Sequence, residues 1–286
     1  MVATVSISRF APSPSGRLHL GHAYSAVIGR GAAARFLLRI EDLDTGRCKP
    51  EFVEGIFEDL RWLGIEWDGE PLVQSARAAD YDLVLGRLRA RGLVYPCFCT
   101  RADIAAALTA PQGDVGVAYP GTCRDLPDDP ERRATAPHGW RLDSGKAVAL
   151  AGLPGWTERD GARFAAGAGD IDDVILARKD APAAYHLACV VDDAASGVDL
   201  VVRAADLRPS TAVQRLLQLV LGLPEPTYLH HPLVAHGNAH EEGRRLAKRD
   251  HAPTLAAMRG NGVDGRALAR QLAAGRLPLE YRFIDA

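Results

Sequence analysis

Long apolar runs are missing from this sequence. None approaches the ~20 residues that a membrane-spanning helix needs, and the first residues lead straight into a strand-like alternation rather than a signal peptide. A cytoplasmic, globular protein is the expectation. Excess charge of one sign is missing too: the formal net charge is −2 over 286 residues. Nothing in the overall balance therefore marks a nucleic-acid binder. Arg87, Arg89 and Arg91, and Arg244, Arg245, Lys248 and Arg249, remain as clusters able to form local basic patches. Repeats and low-complexity tracts are absent, which sets repeat architectures aside. Cysteine is scarce, five residues in all, which argues against a disulfide scaffold. Cys48 and Cys189 stand apart from the other three, with no sequence neighbour that would activate a thiol, and read as buried small hydrophobes.

What is present is the composition of a folded globular chain, 47% hydrophobic and 24% charged, long enough for one large domain with an insertion. Val5 and Ile7 alternate with Ser6 and Ser8 in a strand over 4–10, closed by the turn Pro12-Ser13-Pro14-Ser15-Gly16. A helix from about Leu20 through an alanine-rich stretch to Ala34 leads to a second buried strand over 36–40. Strand, helix, strand is the unit of a parallel sheet. Helices are expected over 50–63, with proline in the first turn, and over 78–91, ended by Gly92. Residues 97–129, rich in Pro, Gly and Cys with one short helix over 101–108, read as an insertion. Strands resume at 174–176, 189–191 and 198–202, so the sheet spans the insertion, and a helix over 211–221 is closed by Gly222 and Pro224. The expected layout is α/β: 1–96, the first half of the parallel-sheet domain; 97–129, the insertion; 130–258, the rest of that domain; and 259–286, a short helical tail.

His19-Leu20-Gly21-His22 directly follows the first strand and its turn, at the expected start of a helix. Two histidines three apart lie on one face, the glycine lets a flat ring approach the backbone, and a helix start favours phosphate oxygens, a combination that suits ATP. As four letters alone, two surface histidines or a metal pair would fit as well. The context carries more. Arg9-Phe10-Ala11-Pro12-Ser13-Pro14-Ser15-Gly16, then the histidine motif, then Arg39-Ile40-Glu41-Asp42-Leu43-Asp44 resemble the glutamyl-tRNA synthetases of class I. The likeness continues in order through Val73-Gln74-Ser75, Ala184-Tyr185-His186-Leu187-Ala188, Val190-Val191-Asp192-Asp193 and Val202-Arg203-Ala204-Ala205-Asp206-Leu207, to about Met258.

That resemblance implies a Rossmann-like catalytic domain that activates L-glutamate with ATP and Mg²⁺. It places His19, Gly21 and His22 at ATP, and Arg9, Phe10, Ala11, Pro12, Ser13, Glu41, Tyr185 and Arg203 around glutamate. The chemistry is consistent: both charges of the amino acid must be paired on leaving water, an arginine fork suits a carboxylate, and Glu41 is an acceptor for the ammonium. A mobile loop with a lysine should meet the charge that builds on pyrophosphate. Arg245-Leu246-Ala247-Lys248-Arg249 resembles that loop, with Lys248 at the expected position and Arg245 and Ala247 departing from the family's lysine and serine. Asp42 and Asp44 read as orienting groups for Arg39 or its loop, because attack by an already ionised carboxylate needs no protein base.

Cys97, Cys99 and Cys123 are spaced to hold Zn²⁺, which wants four ligands. No histidine lies within the insertion, and His138 is the nearest downstream. The resemblance implies Tyr119 as the fourth ligand and a structural ion. The sequence runs only a short way past Lys248, and the expectation is a catalytic domain with no anticodon-binding domain. With the Cys-x-Cys and Tyr-x-x-x-Cys pattern, this resembles the shortened glutamyl-Q-tRNA(Asp) branch of the family, whose acceptor is queuosine in the anticodon of tRNA(Asp). The expected partners are L-glutamate, ATP and queuosine-bearing tRNA(Asp), with no membrane, and the expected state is a monomer. A shortened synthetase charging tRNA(Glu), an ATP-dependent ligase acting on a small molecule, and a catalytically silent tRNA-binding module are the rival readings.

Overall fold

A computed structural model describes residues 6–100, 102–104, 119–127, 129–237, 244–245 and 253–285. Its centre is a parallel sheet. Strand β1 (Ile7–Phe10) pairs with β2 (Arg35–Ile40), and β2 with β3 (Leu72–Val73). Helix α1 (Leu20–Ala32) makes the crossover between β1 and β2, burying Leu20, Ala23, Tyr24, Ala26 and Val27. Its small residues allow close approach to the sheet: a Cβ on Gly29 would stand 2.9 Å from the Phe36 ring. Helix α2 (Pro50–Leu63) follows, with proline in its first turn and Gly64 at φ +72° closing it. Helix α3 is Ala78–Ala90.

The insertion is flanked by β4 (Val94–Cys97), the short helix α4 (Pro130–Thr135) and β5 (Gly139–Leu142). After α5 (Ser144–Ala151), a hairpin of β6 (Gly155–Thr157) and β7 (Arg163–Ala165) leads to β8 (Ile175–Ala177). Then α6 (Tyr185–Ala195), β9 (Leu200–Ala204), α7 (Pro209–Leu221) and β10 (Thr227–His231) complete the parallel layer, with β9 and β10 paired in parallel. β9 lies beside β1: the Asp199 amide donates to Ile7 O at 3.2 Å, and the Ile7 amide to the Asp199 carboxylate at 2.7 Å. The spatial order is therefore β3-β2-β1-β9-β10, reversing direction of build between β1 and β9. A crevice opens at the carboxyl ends of strands at such a switch point.

Three expectations need correction. Residues 189–191 are helical, within α6. Their run of Leu187, Ala188, Cys189, Val190 and Val191 is buried on all sides, and a short apolar run of that kind does not distinguish a core strand from a core helix. The strand at 174–176 forms, but in a separate antiparallel sheet ordered β4-β5-β8 rather than in the parallel one. The C-terminal stretch is more than a helical tail. After α8 (Leu255–Gly260) and α9 (Gly265–Ala273), strand β13 (Tyr281–Ile284) returns to pair with β11 (Leu233–His236), which also pairs with β12 (Arg244–Arg245). Leu268, Leu272 and Tyr281 bury into the same core as α1, α2 and β2. The expected helix over 101–108 is described only at 102–104, which are helical. Among the described residues no helix is long and apolar enough to cross a membrane.

Candidate active site

The crevice at the switch point is a cavity of about 290 Å³. Arg9, Phe10, Ala11, Pro12 and Ser13 reach it from the end of β1, and His19, Gly21 and His22 from the start of α1. Glu41 comes from the end of β2, Tyr185 from the start of α6 and Arg203 from β9, all lining the one cavity. Eleven residues named from sequence thus converge. Lys248 lies outside the described residues, as do Leu246, Ala247 and Arg249. The flanking chain is placed: Arg244 and Arg245 pair with His236 and Ala235, Thr254 forms a bridge with His19, and the Leu255 amide donates to Leu18 O at 2.9 Å.

His19 is the N-cap of α1. Its Nδ1 accepts from the Gly21 amide at 3.2 Å, and the His22 Nδ1 accepts from the His19 amide at 3.2 Å. In both rings Nδ1 is the acceptor of the cap, which puts the ring proton on Nε2. The rings stand 3.8 Å apart between centroids. Gly21 has a steric reason: a Cβ there would meet His19 Cε1 at 3.1 Å and Nδ1 at 3.2 Å. The flat ring that approaches this glycine is His19's own.

The two arginines differ. Arg9 is buried and already committed: Nε and Nη2 donate to the two Asp193 oxygens at 2.9 and 3.2 Å, and Nη1 donates to Val202 O at 3.2 Å. Arg39 Nη1 shares Asp193 at 2.5 Å, while its Nε and Nη2 donate to Glu41 Oε1 at 3.3 and 2.9 Å. Burial alone would raise the Asp193 pKa, yet the two guanidiniums outweigh it and hold the carboxyl well below the usual range. Arg203, 5% exposed, donates to Thr211 Oγ1 and Gln214 Oε1 at 2.7 Å each, to His230 Nε2 at 3.1 Å and to the Tyr185 hydroxyl at 3.4 Å. None of these is a carboxylate. Burial pushes the Tyr185 hydroxyl up to about 12, so it stays protonated.

Of the two alternatives for Asp42 and Asp44, orienting Arg39 falls to Asp193 and Glu41, while the contacts of the two aspartates fit a role in the loop after β2. Asp42 instead accepts from the Ser75 amide and hydroxyl at 2.8 and 2.6 Å, and Asp44 holds Arg47 at 2.7 Å. Cys189 lies against charges that its sequence neighbours did not announce, its Sγ 3.5 Å from Arg39 Nη2 and from Asp193 Oδ2. Burial still pushes its thiol up to about 11, which leaves it inert. The residues that sequence reasoning passed over are Asp193, Thr211, Gln214, His230 and Glu158, together with Ser25 and His231, whose side chains meet at 2.7 Å on the cavity wall. Asp193 carried a usable signal, since a carboxylate in an apolar run must find a partner.

The insertion brings Cys97, Cys99 and Cys123 together, their sulfurs within 4.8 Å of one another, a group able to hold a metal ion. The Tyr119 hydroxyl stands 3.4 Å from Cys97 Sγ and 3.5 Å from Cys99 Sγ. His138 is turned to Ala136 O at 3.1 Å. Arg141 lies 3.7 Å over the Tyr119 ring and donates to Cys97 Sγ at 3.3 Å, placing a cation where thiolates would gather.

Comparison with known proteins identifies the family. A family model described as tRNA synthetases class I (E and Q), catalytic domain, matches residues 5–275. A protein of Rhodobacter capsulatus named glutamyl-Q tRNA(Asp) synthetase is 44% identical over 274 residues, 90% of this chain and 96% of the relative. One of the same name from Nocardia farcinica is 47% identical over 254 residues, 87% and 77% of the two chains. Among solved structures, a glutamate-tRNA synthetase from Elizabethkingia anophelis superposes with a TM-score of 0.78 at 27% identity, over 94% of this chain. A glutamate tRNA ligase from Elizabethkingia meningosepticum, in complex with its amino acid, superposes with a TM-score of 0.77 at 28% identity. The chain spans 61% and 60% of the lengths of those two structures. With Rossmann-like strand order, convergent site and these relatives in agreement, the chain belongs to the class I tRNA synthetases for glutamate and glutamine and is an aminoacyl-tRNA synthetase-like ligase.

Proposed function

We propose that this chain activates L-glutamate with ATP and passes the glutamyl group to queuosine in the anticodon of tRNA(Asp). The observation that carries the amino-acid half is Arg203: a buried guanidinium on the cavity wall whose hydrogen bonds, among the described residues, all go to neutral groups. A buried cation with no anion is costly, and a substrate carboxylate in the cavity supplies the missing charge. Glu41 Oε2 makes no hydrogen bond to a described residue, Arg39 being bonded to Oε1, and is the acceptor for the substrate ammonium. Arg9, with its fork on Asp193, contributes mainly positive potential and at most one Nη1–H.

In the first step an oxygen of the glutamate α-carboxylate attacks the α-phosphorus of ATP, and pyrophosphate leaves. His19 and His22, with Nδ1 occupied by the backbone, offer Nε2–H groups to the phosphate oxygens as charge moves onto them. ATP enters as its Mg²⁺ complex, and Lys248 is assigned to the leaving pyrophosphate. In the second step a cyclopentene hydroxyl of queuosine attacks the acyl carbon, AMP leaves and an ester forms. The choice of acceptor rests on the names of the relatives.

Zn²⁺ belongs to the same proposal. The separations of 3.4 to 3.5 Å from the Tyr119 oxygen to the two sulfurs, and of 3.5 Å from Cys99 Sγ to Cys123 Sγ, are near the edges of about 3.7 Å expected of a tetrahedron with ~2.3 Å bonds. Four protein ligands leave no open position, so the ion would brace the insertion and take no part in the chemistry.

The test is transfer of labelled glutamate, with ATP, to purified tRNA(Asp) carrying or lacking queuosine, with tRNA(Glu) alongside. Label confined to queuosine-bearing tRNA(Asp) is the expected result. Label on tRNA(Glu) would make the chain a shortened conventional synthetase. No label anywhere would favour a small-molecule ligase or a silent binding module.

A further inference from the structure

Behind Arg203 stands a second layer of polar groups. β9 and β10 run parallel with Arg203 opposite His230 in register, which brings the imidazole to the Nε edge of the guanidinium, Nε to Nε2 being 3.1 Å. The other ring nitrogen, Nδ1, lies 2.6 Å from Glu158 Oε1, and the His230 amide donates to Glu158 Oε2 at 3.2 Å. Glu158 is 8% exposed, and the His230 side chain is fully covered.

The direction of each bond follows from what the atoms are able to do. Arginine Nε is only a donor and an ionised carboxylate only an acceptor. His230 must therefore carry its proton on Nδ1, donate a hydrogen bond from it to Glu158 and present the Nε2 lone pair to Arg203. The ring is neutral: burial and the neighbouring Arg203 hold its pKa below the ordinary value, against the pull of Glu158. A protonated ring would set an N–H against an N–H. Glu158 thus selects the one tautomer that can accept from the arginine.

The consequence is rotational. Thr211 and Gln214 each take one donor from the two Nη nitrogens, and His230 takes the only donor on Nε. Three edges of the guanidinium are pinned, and its plane is fixed where it lines the cavity. We propose that His230 and Glu158 are positioning residues: Glu158 sets the imidazole tautomer, and the imidazole locks the Arg203 guanidinium in the orientation that receives the carboxylate of the amino acid. The proposal rests on the reading of Arg203 as a glutamate-binding group. Neither residue touches the substrate in it, and both act through Arg203.

The experiment is a mutant cycle in ATP–pyrophosphate exchange driven by glutamate, using the whole chain. His230→Ala should raise KM for glutamate about tenfold, the scale of one hydrogen bond to a charged group, with KM for ATP unchanged and kcat within about threefold. His230→Gln, whose amide oxygen can accept from Nε, should recover most of the loss. In an Arg203→Ala background, His230→Ala should add nothing, because its only route to the substrate is gone. Glu158→Gln keeps the volume and carries the same cycle should His230→Ala fail to fold. Additive effects in the double variant, or equal changes in the KM of ATP and of glutamate, would overturn the proposal. If Arg203→Ala alone left KM for glutamate unchanged, the glutamate-binding reading itself would fail, which is a different result from a silent His230→Ala beside a damaging Arg203→Ala.

Discussion

Asp193→Asn is the most informative single change outside the ligand contacts. The carboxylate is 4% exposed and takes two hydrogen bonds from Arg9 and one from Arg39. Asparagine keeps the shape, removes the charge and offers one oxygen where two accepted. Arg39 retains Glu41 as a counter-ion at 2.9 Å, but Arg9 is left buried with neutral acceptors only, the amide oxygen and the Val202 carbonyl. Removing one member of a buried ion pair costs about 3–5 kcal/mol. The retained Glu41 pair argues for the lower half of that range, about 3–4 kcal/mol. In a chain of this size each kcal/mol shifts the melting temperature by roughly 2–4 °C, so the midpoint should fall by about 6–16 °C, measured by calorimetry or circular dichroism. The change should also depend on pH. The folded-state pKa of Asp193 is depressed, so its contribution is present above the unfolded carboxylate value and is lost as pH falls below it. The gap between wild type and variant should therefore close below about pH 4. A midpoint within about 1 °C of wild type at neutral pH, against the 2–4 °C expected per kcal/mol, would refute the reasoning that buried Arg9 depends on the Asp193 charge.

Gly21→Ala should separate stability from activity. Alanine is the better helix former by about 1 kcal/mol, so the melting temperature should hold or rise, while displacement of the His19 ring by the new methyl should slow pyrophosphate exchange about tenfold or more; undiminished exchange would mean the ring's place does not matter. Cys99→Ser should lower bound zinc, read by elemental analysis of the purified chain, from about one ion to a small fraction of one. Equal metal content in both proteins would remove Cys99 from the ligand set. His186 has a buried Nδ1 with no hydrogen-bond partner among the described residues, and burial with Arg203 pushes its pKa down to about 4 from 6.5. The unfolded chain takes up that proton first, so this group's contribution is present above pH 6.5 and lost as pH falls from 6.5 towards 4. His186→Asn should flatten the slope of stability against pH there by on the order of 1–3 kcal/mol; an unchanged slope would place the titration elsewhere.

Local signals in the sequence carried some elements through to the structure unchanged. Helix α2 begins at its proline and ends before a glycine in the left-handed region, because those residues impose their conformations wherever they stand. The cleft residues on β1, α1 and β2 were legible for a related reason: turn, cap and strand ends adjoin in sequence, so a motif of eight or four letters holds their geometry. Helix α6 was misread because an apolar run in a core has no face to show. The pairing of Arg9 and Arg203 with their partners was not legible, for another reason, even where a residue such as Asp193 announced that it needed one. Asp193 lies 184 residues from Arg9 and His230 lies 27 from Arg203, and no local pattern says which carboxylate or imidazole a buried cation will find.

The placing of β9 beside β1 also sets a schedule for the nascent chain. Arg9 Nη1 finds its carbonyl acceptor 193 residues downstream, on Val202. At ~5–20 residues per second, a ribosome needs roughly 10–40 s to cover that distance. Throughout that interval the first strand, the histidine cap and the arginine exist without the wall that will make them a site. The Arg9 charge stays in water until α6 and β9 arrive to bury it together with Asp193. A ribosome stalled with the chain ending before β9 should therefore display a polypeptide that has much of its N-terminal secondary structure and no capacity to bind the amino acid.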